Sequence, residues 1–594
     1  MRAVATLSAR DLRTAPWSRG ASRLEGFAFR TAPSSVPIRR LSRSPISAFR
    51  LATVPIVGFL TAAVLRAQDA PVREPLGKVR EVHVSTRDVF TEQEADGNLL
   101  YGFANLFHVT TKGEVVRREL WFGPGDEVDQ DDIDELERNV RALELFGDVR
   151  TRAERVGDGQ VDVFVDTRDR FTLGASASVA HVGGVNKLDM RLSETNLFGS
   201  GKGLSASAKY SDTGHVSTVS WSDPQFLGSW HTLDVQIGET DEGNFFAMQF
   251  ARPFRHIEDP VSYGVDTDHS RNDFERYREG DTVVQVPIER HALHLFGAVG
   301  SGSRVERTAV GLDTRMWRHD YGTPDGSAVA SERVPGDTTA FEFGPYATFD
   351  YRPRFLTVTR LDTLDYRQDI GLGAGAYGRL AARYRDEEGA GAQLQPLIDV
   401  RLRTAAESLP ETFLTFEAAT DARFGSTGRE ELHARLALHA FQMSLPAQTL
   451  AASLTWESVE ELQDLAPQLT LGEDNGLRGY PAREFDGTRV ARLNLEDRID
   501  TGAELWTFRL GLAAFCDVGW VHDPLGRLSF ADPLVSAGFG LRIGSSNLLG
   551  GRVLRLDVAF PLSTVDGEDY GVSVSFATGQ VFTFFGNAEE LGGL

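Results

Sequence analysis

From residue 171 to residue 585 the chain is a succession of short segments in which apolar and polar residues alternate. In residues 554–560, for example, every second residue is Leu, Val or Phe, while Arg555 and Asp557 fall between them. Alternation of period two is the pattern of β-strands whose two faces meet different surroundings. Clusters of Gly, Asp, Asn and Pro separate the segments, so this part of the chain is predicted to be antiparallel β-structure.

Two architectures show this alternation: a sandwich in water and a barrel in a membrane. Charged residues deep on one strand face, aromatic residues near strand ends and about 415 residues of unbroken β-pattern favour the barrel. A membrane barrel must close, because open strand edges are not tolerated in hydrocarbon. The predicted fold class is therefore mainly β: a C-terminal transmembrane antiparallel β-barrel over residues 170–585, preceded by one small α/β domain. Up to about twenty strands are counted, although several between Pro260 and Glu407 are alternatively hairpins outside the membrane.

The first 67 residues resemble a processing segment. Residues 1–66 hold eleven arginines and only two acidic residues, Asp11 and Glu25, and they include the apolar run Leu51–Leu65. This is the pattern of a signal peptide with a long basic region and cleavage after Ala67. A single-span membrane anchor is one alternative, but the apolar run is short for an anchor. A misplaced start codon is another explanation of the long arginine-rich leader. Residues 586–594 are predicted to be a short tail.

Residues 79–168 are predicted to form a small α/β unit. Val82 and Val84 alternate with polar neighbours as in a strand, and a helix through residues 115–120 follows. Asp129 is placed to cap a second helix, predicted to end at Gly147. Its buried stripe has three- and four-residue spacing: Ile133, Leu136, Val140, Leu143 and Phe146. Two strands joined by a Gly-Asp-Gly turn complete the order strand, helix, helix, strand, strand.

Several functions are not expected. A formal charge of −23 disfavours nucleic acid as a partner. The single cysteine, Cys516, excludes a disulfide framework and a thiolate metal cluster. The acidic run over residues 126–135 lacks EF-hand spacing and suits a helix N-terminus instead. No catalytic motif is found, so neither an enzyme, a cofactor nor a metal site is predicted.

The stretch Gly472–Gly487 is a long glycine-rich connection between two strand-like runs. Loops of this length without elements of their own are usually functional or disordered. Strand parity in residues 505–521 places Asp517 on the inward face. If the loop folds inward, Arg478 can form a charge-assisted bond with Asp517, and Glu496 is a second candidate partner. A solvated surface loop with Arg478 in water is the alternative.

Four features in order resemble one family. Residues 476–480, Gly-Leu-Arg-Gly-Tyr, are similar to a V-R-G-F/Y signature, and residues 515–519, Phe-Cys-Asp-Val-Gly, to an F-x-D-x-G strand. Residues 194–201, with Asp223-Pro224 after them, resemble early barrel hairpins, and residues 79–168 resemble a POTRA domain. Together they resemble the bacterial surface-antigen superfamily of BamA/TamA-like outer-membrane proteins.

This resemblance implies a barrel of about sixteen strands with an inward-folded loop. The loop motif would be Leu477, Arg478, Gly479 and Tyr480, and the strand that anchors it would supply Phe515, Asp517 and Gly519, with Glu496 nearby. It also implies a weakly closed seam between a first strand near residues 171–178 and a last strand near residues 571–585. The barrel would lie in the outer membrane and the POTRA domain in the periplasm.

The C-terminal residues resemble the terminal β-signal of outer-membrane barrels. Gly579, Phe582 and Phe584 provide its glycine and its two alternating aromatics. They are predicted to end the last strand, and a lipid-facing strand with interfacial aromatics explains them equally well.

The predicted function is assembly or insertion of outer-membrane proteins, without covalent chemistry. The expected partners are outer-membrane lipid, unfolded outer-membrane barrel clients, and periplasmic chaperones or accessory lipoproteins. Three alternatives stay open: a polypeptide secretion pore of the two-partner type, a passive structural barrel or surface antigen, and a lipid-modifying barrel enzyme. The last is opposed by the missing nucleophile constellation.

Overall fold

The structure, a computed structural model, describes residues 75–90, 108–182, 185–211, 214–256, 258–303, 305–326, 334–364, 368–425, 428–460, 468–505, 508–522, 528–544, 553–565 and 570–584. The predicted leader, residues 1–67, and the predicted tail, residues 586–594, lie outside these ranges. Within them, no helix has both the length and the apolar character needed to cross a membrane.

A small α/β domain comes first. Its elements are β1 (Gly77–Arg87), α1 (Gly113–Arg117), β2 (Glu127–Val128), α2 (Gln130–Arg141), β3 (Phe146–Gly157) and β4 (Gln160–Asp169). The sheet has the order β2-β1-β4-β3, with β1 and β4 parallel and the outer pairs antiparallel. The helices supply apolar residues to one core with β1, β3 and β4. In the described residues of the domain, the element order matches the predicted one, with the two-residue β2 added.

The second helix begins as predicted and ends earlier. The Asp129 side chain accepts hydrogen bonds from the backbone N–H groups of Asp131 and Asp132, at 2.9 and 3.3 Å, and Asp132 bonds back to the Asp129 N–H. This capping box gives two residues of the acidic run, Asp129 and Asp132, a structural role. The helix stops at Arg141, so placing Leu143 and Phe146 in it was wrong: Glu144 adopts a positive φ, and Phe146 starts β3 as a buried core residue.

A closed β-barrel follows. Within the described residues it contains twenty strands, paired antiparallel in chain order, and the last strand lies beside the first. The strands are β5 (Leu173–Val182), β6 (Val185–Glu194), β7 (Gly203–Ser211), β8 (Gly214–Phe226), β9 (His231–Thr240), β10 (Gly243–Arg252), β11 (Val261–Arg278), β12 (Asp281–Ser303), β13 (Glu306–Tyr321), β14 (Thr338–Val358), β15 (Gln368–Glu387), β16 (Gly391–Leu409), β17 (Thr412–Gly425), β18 (Gly428–Gln442), β19 (Gln448–Glu460), β22 (Arg489–Leu505), β23 (Phe508–His522), β24 (Leu534–Gly544), β25 (Val553–Pro561) and β26 (Ser573–Thr578), with β20 (Leu469–Leu471) and β21 (Phe485–Gly487) outside the barrel sheet.

The fold class is confirmed, and the number of about sixteen strands is wrong. The difference arises in the middle of the chain, where β11 to β16 pair with both neighbours as barrel strands rather than as separate hairpins. These six strands are 16 to 23 residues long. By contrast, β24, β25 and β26 have 11, 9 and 6 residues, so the barrel wall is shortest next to the junction of β26 and β5.

The outer surface of the barrel is apolar. On β12, Leu295 and Val299 are 41% and 61% exposed, and Leu436 and Leu438 on β18 are exposed in the same way. The intervening positions face the interior, where charged side chains such as Asp399 are buried. A closed sheet with an apolar outside and a polar inside satisfies its backbone hydrogen bonds within a bilayer. The protein is therefore a transmembrane β-barrel.

Candidate functional site

The connection between β19 and β22 folds into the barrel. Its described part, residues 468–488, is called the lumen loop below. It was predicted to have no element of its own, which was wrong: β20 pairs with β21, and a short 3-10 turn spans Glu473–Asn475. Beyond Gly476, which has a φ of 98°, the side chains of Leu477, Arg478 and Tyr480 are at most 1% exposed. The lumen loop thus places the predicted motif in the barrel interior.

Arg478 is held by two carboxylates. Its Nε and Nη2 donate to Oδ2 and Oδ1 of Asp517 at 2.7 and 2.9 Å, and its Nη1 donates to Oε1 of Glu496 at 3.1 Å. The two bonds to Asp517 form the planar, bidentate arrangement that suits a guanidinium group. All three side chains are at most 1% exposed, so water does not screen the attraction.

An aromatic ring completes the surroundings of the guanidinium. The Cζ atom of Arg478 lies 3.4 Å from the centroid of the Phe515 ring, within cation–π range. A Cβ on Gly538 would lie 2.4 Å from the ring carbon Cζ of Phe515, so glycine at that position makes room for the aromatic side chain. Phe515 and Asp517 lie two residues apart on β23, and strand parity brings both to the same inward face.

The charge cluster is larger than the sequence analysis predicted. Arg542 on β24 donates to Glu496 Oε1 at 2.7 Å and to Asp557 Oδ1 at 2.6 Å. Arg498 donates through Nε to Glu496 Oε2 at 2.9 Å. Arg498, Arg542 and Asp557 were not named as site residues in the sequence analysis. Each lies on the polar face of a strand in which polar and apolar residues alternate, so strand parity could have identified them. Their convergence also depends on the register between strands, which the sequence does not show.

Arg498 joins the cluster to the other end of the barrel. Its Nη1 donates to the carbonyl of Leu361 at 2.8 Å, and its Nη2 donates to the carbonyl of Phe582 at 3.0 Å. Hydrogen bonds therefore run without a gap from the lumen loop, through Glu496 and Arg498, to two segments that enter the barrel from the side of the α/β domain.

Steric constraints explain the glycines at positions 479 and 519. Gly479 has a φ of 94°, and a Cβ there would lie 3.3 Å from Ala559 and Pro561 side-chain atoms. A Cβ on Gly519 would lie 2.5 Å from a methyl group of Leu471 and 3.1 Å from one of Leu477. Gly519 thus leaves the space on β23 that the apolar side of the lumen loop occupies.

Replacement of Gly519 by alanine is expected to reduce the free energy of unfolding by about 1–3 kcal/mol, because the added methyl group overlaps the packed loop. The urea midpoint of barrel unfolding measures this. Gly378→Ala is the matched control, since a Cβ on that glycine of strand β15 meets nothing within 4 Å. Equal midpoints for the two variants would contradict tight packing of the loop on β23.

Tyr480 fixes the loop near the last strand. Its hydroxyl donates to the carbonyl of Val535 at 2.8 Å, and its ring lies edge-on to Tyr570, 5.1 Å between centroids. The first residue of β26, Ser573, donates to Glu473 Oε2 of the loop at 2.9 Å. The lumen loop consequently contacts the start of the strand that closes the barrel.

The predicted terminal-strand residues lie elsewhere. The last strand ends at Thr578, and Gly579 adopts a φ of 89° that turns the chain away from the sheet. Placing Phe582 and Phe584 on a lipid-facing strand was wrong, because they are 5% and 2% exposed. Residues 579–584, called the C-terminal segment below, lie inside the barrel.

The C-terminal segment crosses the lumen to the opposite wall. Phe584 packs edge-on against Phe413 of β17, with centroids 6.3 Å apart, and its carbonyl accepts a bond of 3.0 Å from Thr415. Phe582 packs against Phe441 of β18. They share a core with residues of the wall and of the turns beside it: Leu361, Ile370, Leu372, Ala405, Phe413, Phe441, Met443 and Ala451.

The β14–β15 turn, residues 359–364, fills the same mouth. The Phe584 N–H donates to both Asp362 oxygens, at 3.1 and 3.2 Å, and Thr449 donates to the Arg360 carbonyl at 2.8 Å. Leu364 reaches β23 and β24, where a Cβ on Gly511 would lie 3.0 Å from it. The turn and the C-terminal segment thus both lie inside the wall at this mouth, while the lumen loop lies inside the wall toward the other.

The α/β domain is bonded to the barrel beside the same mouth. Glu119, after α1, accepts from Arg255 at 2.7 Å and from Gln225 at 2.6 Å, and all three side chains are buried. Trp230 donates to the Arg118 carbonyl at 2.7 Å. These barrel residues lie on or beside the turns after β8 and β10.

A second contact lies across the mouth. Arg141 of α2 bonds to Asp369 of β15, and the Cζ of Arg138 lies 4.2 Å from the Phe355 ring centroid. The predicted early hairpin also takes part: Asn196 donates to Thr111 at 2.8 Å, and the Gly199 carbonyl accepts from the Lys112 N–H at 2.9 Å. The domain is therefore fixed at separated points around the rim.

The fold and the site define a class: a transmembrane β-barrel whose lumen is occupied from both ends and whose rim carries a small α/β domain. No protein-family model matches the chain, and no curated protein matches it. Among solved structures it is similar to BamA from Haemophilus ducreyi lacking POTRA domains 1–3, with 12% identity, 85% of this chain and 84% of that chain covered, and a TM-score of 0.39.

Two structures of CdiB are also similar. CdiB from Escherichia coli shows 12% identity, with 85% of this chain and 76% of that chain covered and a TM-score of 0.44. CdiB from Acinetobacter baumannii shows 12% identity, with 85% and 74% covered and a TM-score of 0.38.

Proposed function

We propose that the protein is a BamA/TamA-like factor that inserts or assembles β-barrel proteins in the outer membrane. The observation that carries this proposal is the link between the lumen loop and the last strand. The loop is fixed by Arg478 to Asp517 on β23, and through Glu473 it contacts Ser573 at the start of β26. A loop placed in this way sets the position of the strand at which the barrel closes.

The seam between β26 and β5 is the place for a client to enter. β26 has six residues and lies next to β5, so its own length limits the extent of the pairing at this seam. Because backbone hydrogen bonds hold neighbouring strands together, a junction limited to six residues separates more readily than one between long strands. An unfolded client strand can then pair with the exposed edge of β5 or β26 within the bilayer.

The α/β domain acts as a single POTRA domain in the periplasm in this proposal. β3 lies at one edge of its sheet and, in the described part of the chain, pairs only with β4. An extended client can add to this edge by β-augmentation. The contacts of the domain around the barrel rim would then deliver the client close to the wall.

The proposed action is physical and involves no covalent chemistry, cofactor or metal. Its partners would be outer-membrane lipid and unfolded barrel clients, with periplasmic chaperones or accessory lipoproteins to supply them. Nucleic acid is disfavoured by the charge of −23. A secretion pore is the alternative, but a passenger crossing the lumen would have to displace both the C-terminal segment and the lumen loop.

Reconstitution tests the proposal. The mature protein, from about Gln68, is placed in liposomes, and the folding rate of an unfolded outer-membrane barrel added outside is measured. Acceleration that Arg478→Ala loses is expected. Arg429→Ala is the matched control, because Arg429 pairs with Glu460 at an exposed strand end. No acceleration by the unmodified protein, together with a large steady ion conductance, would favour the secretion pore.

A further inference from the structure

Three potential metal ligands meet on the outer surface of the barrel. His269 on β11 lies directly opposite His291 on β12, and their ring centroids are 4.4 Å apart with 23° between the ring planes. Glu289 precedes His291 by two residues and therefore lies on the same strand face. One ligand atom from each residue lies within 4.8 Å of the other two.

The hydrogen bonds around these residues leave atoms that could bind a metal ion. The Nδ1 atom of His269 is buried and has no hydrogen-bond partner within the described chain. Arg271 donates to Oε2 of Glu289 at 2.7 Å, and the other oxygen, Oε1, lies 3.5 Å from Nε2 of His291. Arg271 thus orients the carboxylate, as residues behind metal ligands commonly do.

One of the three ligands is open to solvent. The side chain of His291 is 53% exposed. Two guanidinium groups are close, but each has its own carboxylate: Arg271 bonds to Glu289, and Arg318, opposite His291, bonds to Asp320 at 2.7 Å. Phe246, opposite His269, belongs to the apolar outer surface, so the cluster lies where that surface becomes polar.

We propose that His269, Glu289 and His291 bind one divalent transition-metal ion of the Zn²⁺ class. Two imidazoles and one carboxylate are a donor set that zinc accepts while keeping a fourth position for water. Zinc–ligand bonds of about 2.0–2.2 Å would require the stacked imidazoles to turn and bring their ligand atoms closer than the 4.8 Å within which they now lie. The ion would join β11 to β12 on the outside of the wall, away from the lumen site.

Isothermal titration of the purified full-length mature protein with Zn²⁺ tests this proposal. The protein carries no polyhistidine tag and is first treated with a chelator. One equivalent of Zn²⁺ is expected to bind at pH 7.5, and binding is expected to weaken below about pH 6 as the imidazoles take up protons. His269→Gln and His291→Gln are expected to abolish stoichiometric binding, and Glu289→Gln to weaken it at least about ten-fold.

His215→Gln is the matched control, because His215 pairs with a carboxylate, Asp241, without a second histidine. It is expected to bind Zn²⁺ like the unmodified protein. Heat-modifiable migration of every variant verifies that the barrel is folded. Absence of stoichiometric binding, or binding that survives both His269→Gln and His291→Gln in folded protein, would overturn the proposal.

Discussion

Alanine in place of Arg478 is expected to lower the free energy of barrel unfolding by about 3–5 kcal/mol. The substitution leaves Asp517 without its bidentate partner and removes one of the guanidinium groups that compensate Glu496, and a buried carboxylate without compensation is strongly destabilising. The urea midpoint and the temperature at which the heat-modifiable band is lost measure the effect. We also expect the lumen loop to become accessible to protease in folded barrels.

Two variants make the result specific. Arg478→Lys keeps the charge but cannot form the two parallel bonds to Asp517, so it is expected to fall between the unmodified protein and Arg478→Ala. Arg429→Ala removes a pair in which the arginine is 39% exposed, and a loss below about 1 kcal/mol is expected. Arg478→Ala and Arg429→Ala with the same midpoint would contradict a structural role for the buried cluster.

Combined replacement of Phe582 and Phe584 by alanine is expected to open the mouth beside the α/β domain. Both rings pack on inward residues of β17 and β18, and truncating a buried phenylalanine typically costs about 3–5 kcal/mol. The C-terminal segment is therefore expected to leave the lumen while the strands stay paired. Planar-bilayer recordings are expected to show a several-fold larger conductance than the unmodified protein.

Phe560→Ala provides the control for this experiment. Phe560 lies on β25, close in sequence to the last strand, but it is 39% exposed on the outer surface. Its replacement is expected to leave the conductance unchanged. If the double variant also conducts like the unmodified protein while remaining folded, the C-terminal segment does not close the mouth.

Strand parity predicted which face of a strand is buried in the barrel. Alternation along residues 505–521 predicted that Asp517 faces inward, and the structure has it fully buried beside Arg478. Side chains on a strand alternate strictly, so one face can be read without knowing the neighbours. The same logic did not show which inward residues meet, since Arg542 and Glu496 belong to strands β24 and β22 and come together only through register.

The local sequence pattern does not predict the position of the C-terminal segment. Gly579, Phe582 and Phe584 alternate as a terminal strand would, but the aromatic pocket that accepts them is built by β17 and β18, more than a hundred residues earlier. Tertiary burial of two phenylalanines outweighs the local preference for a strand. Similarly, the helix cap at Asp129 was predictable because it is local, whereas the bond between Glu119 and Arg255 is not.

Site-specific photocrosslinking of a client during insertion tests the central claim most directly. A photoreactive residue is placed at Val574 on β26, 49% exposed beside the seam, at Arg401 facing the lumen, or at Leu438 on the lipid-facing wall away from the seam. The proposed function predicts that an unfolded outer-membrane barrel crosslinks to position 574 and not to positions 401 and 438. A client that crosslinks from position 401 and not from position 574 passes through the lumen, which would contradict insertion at the seam.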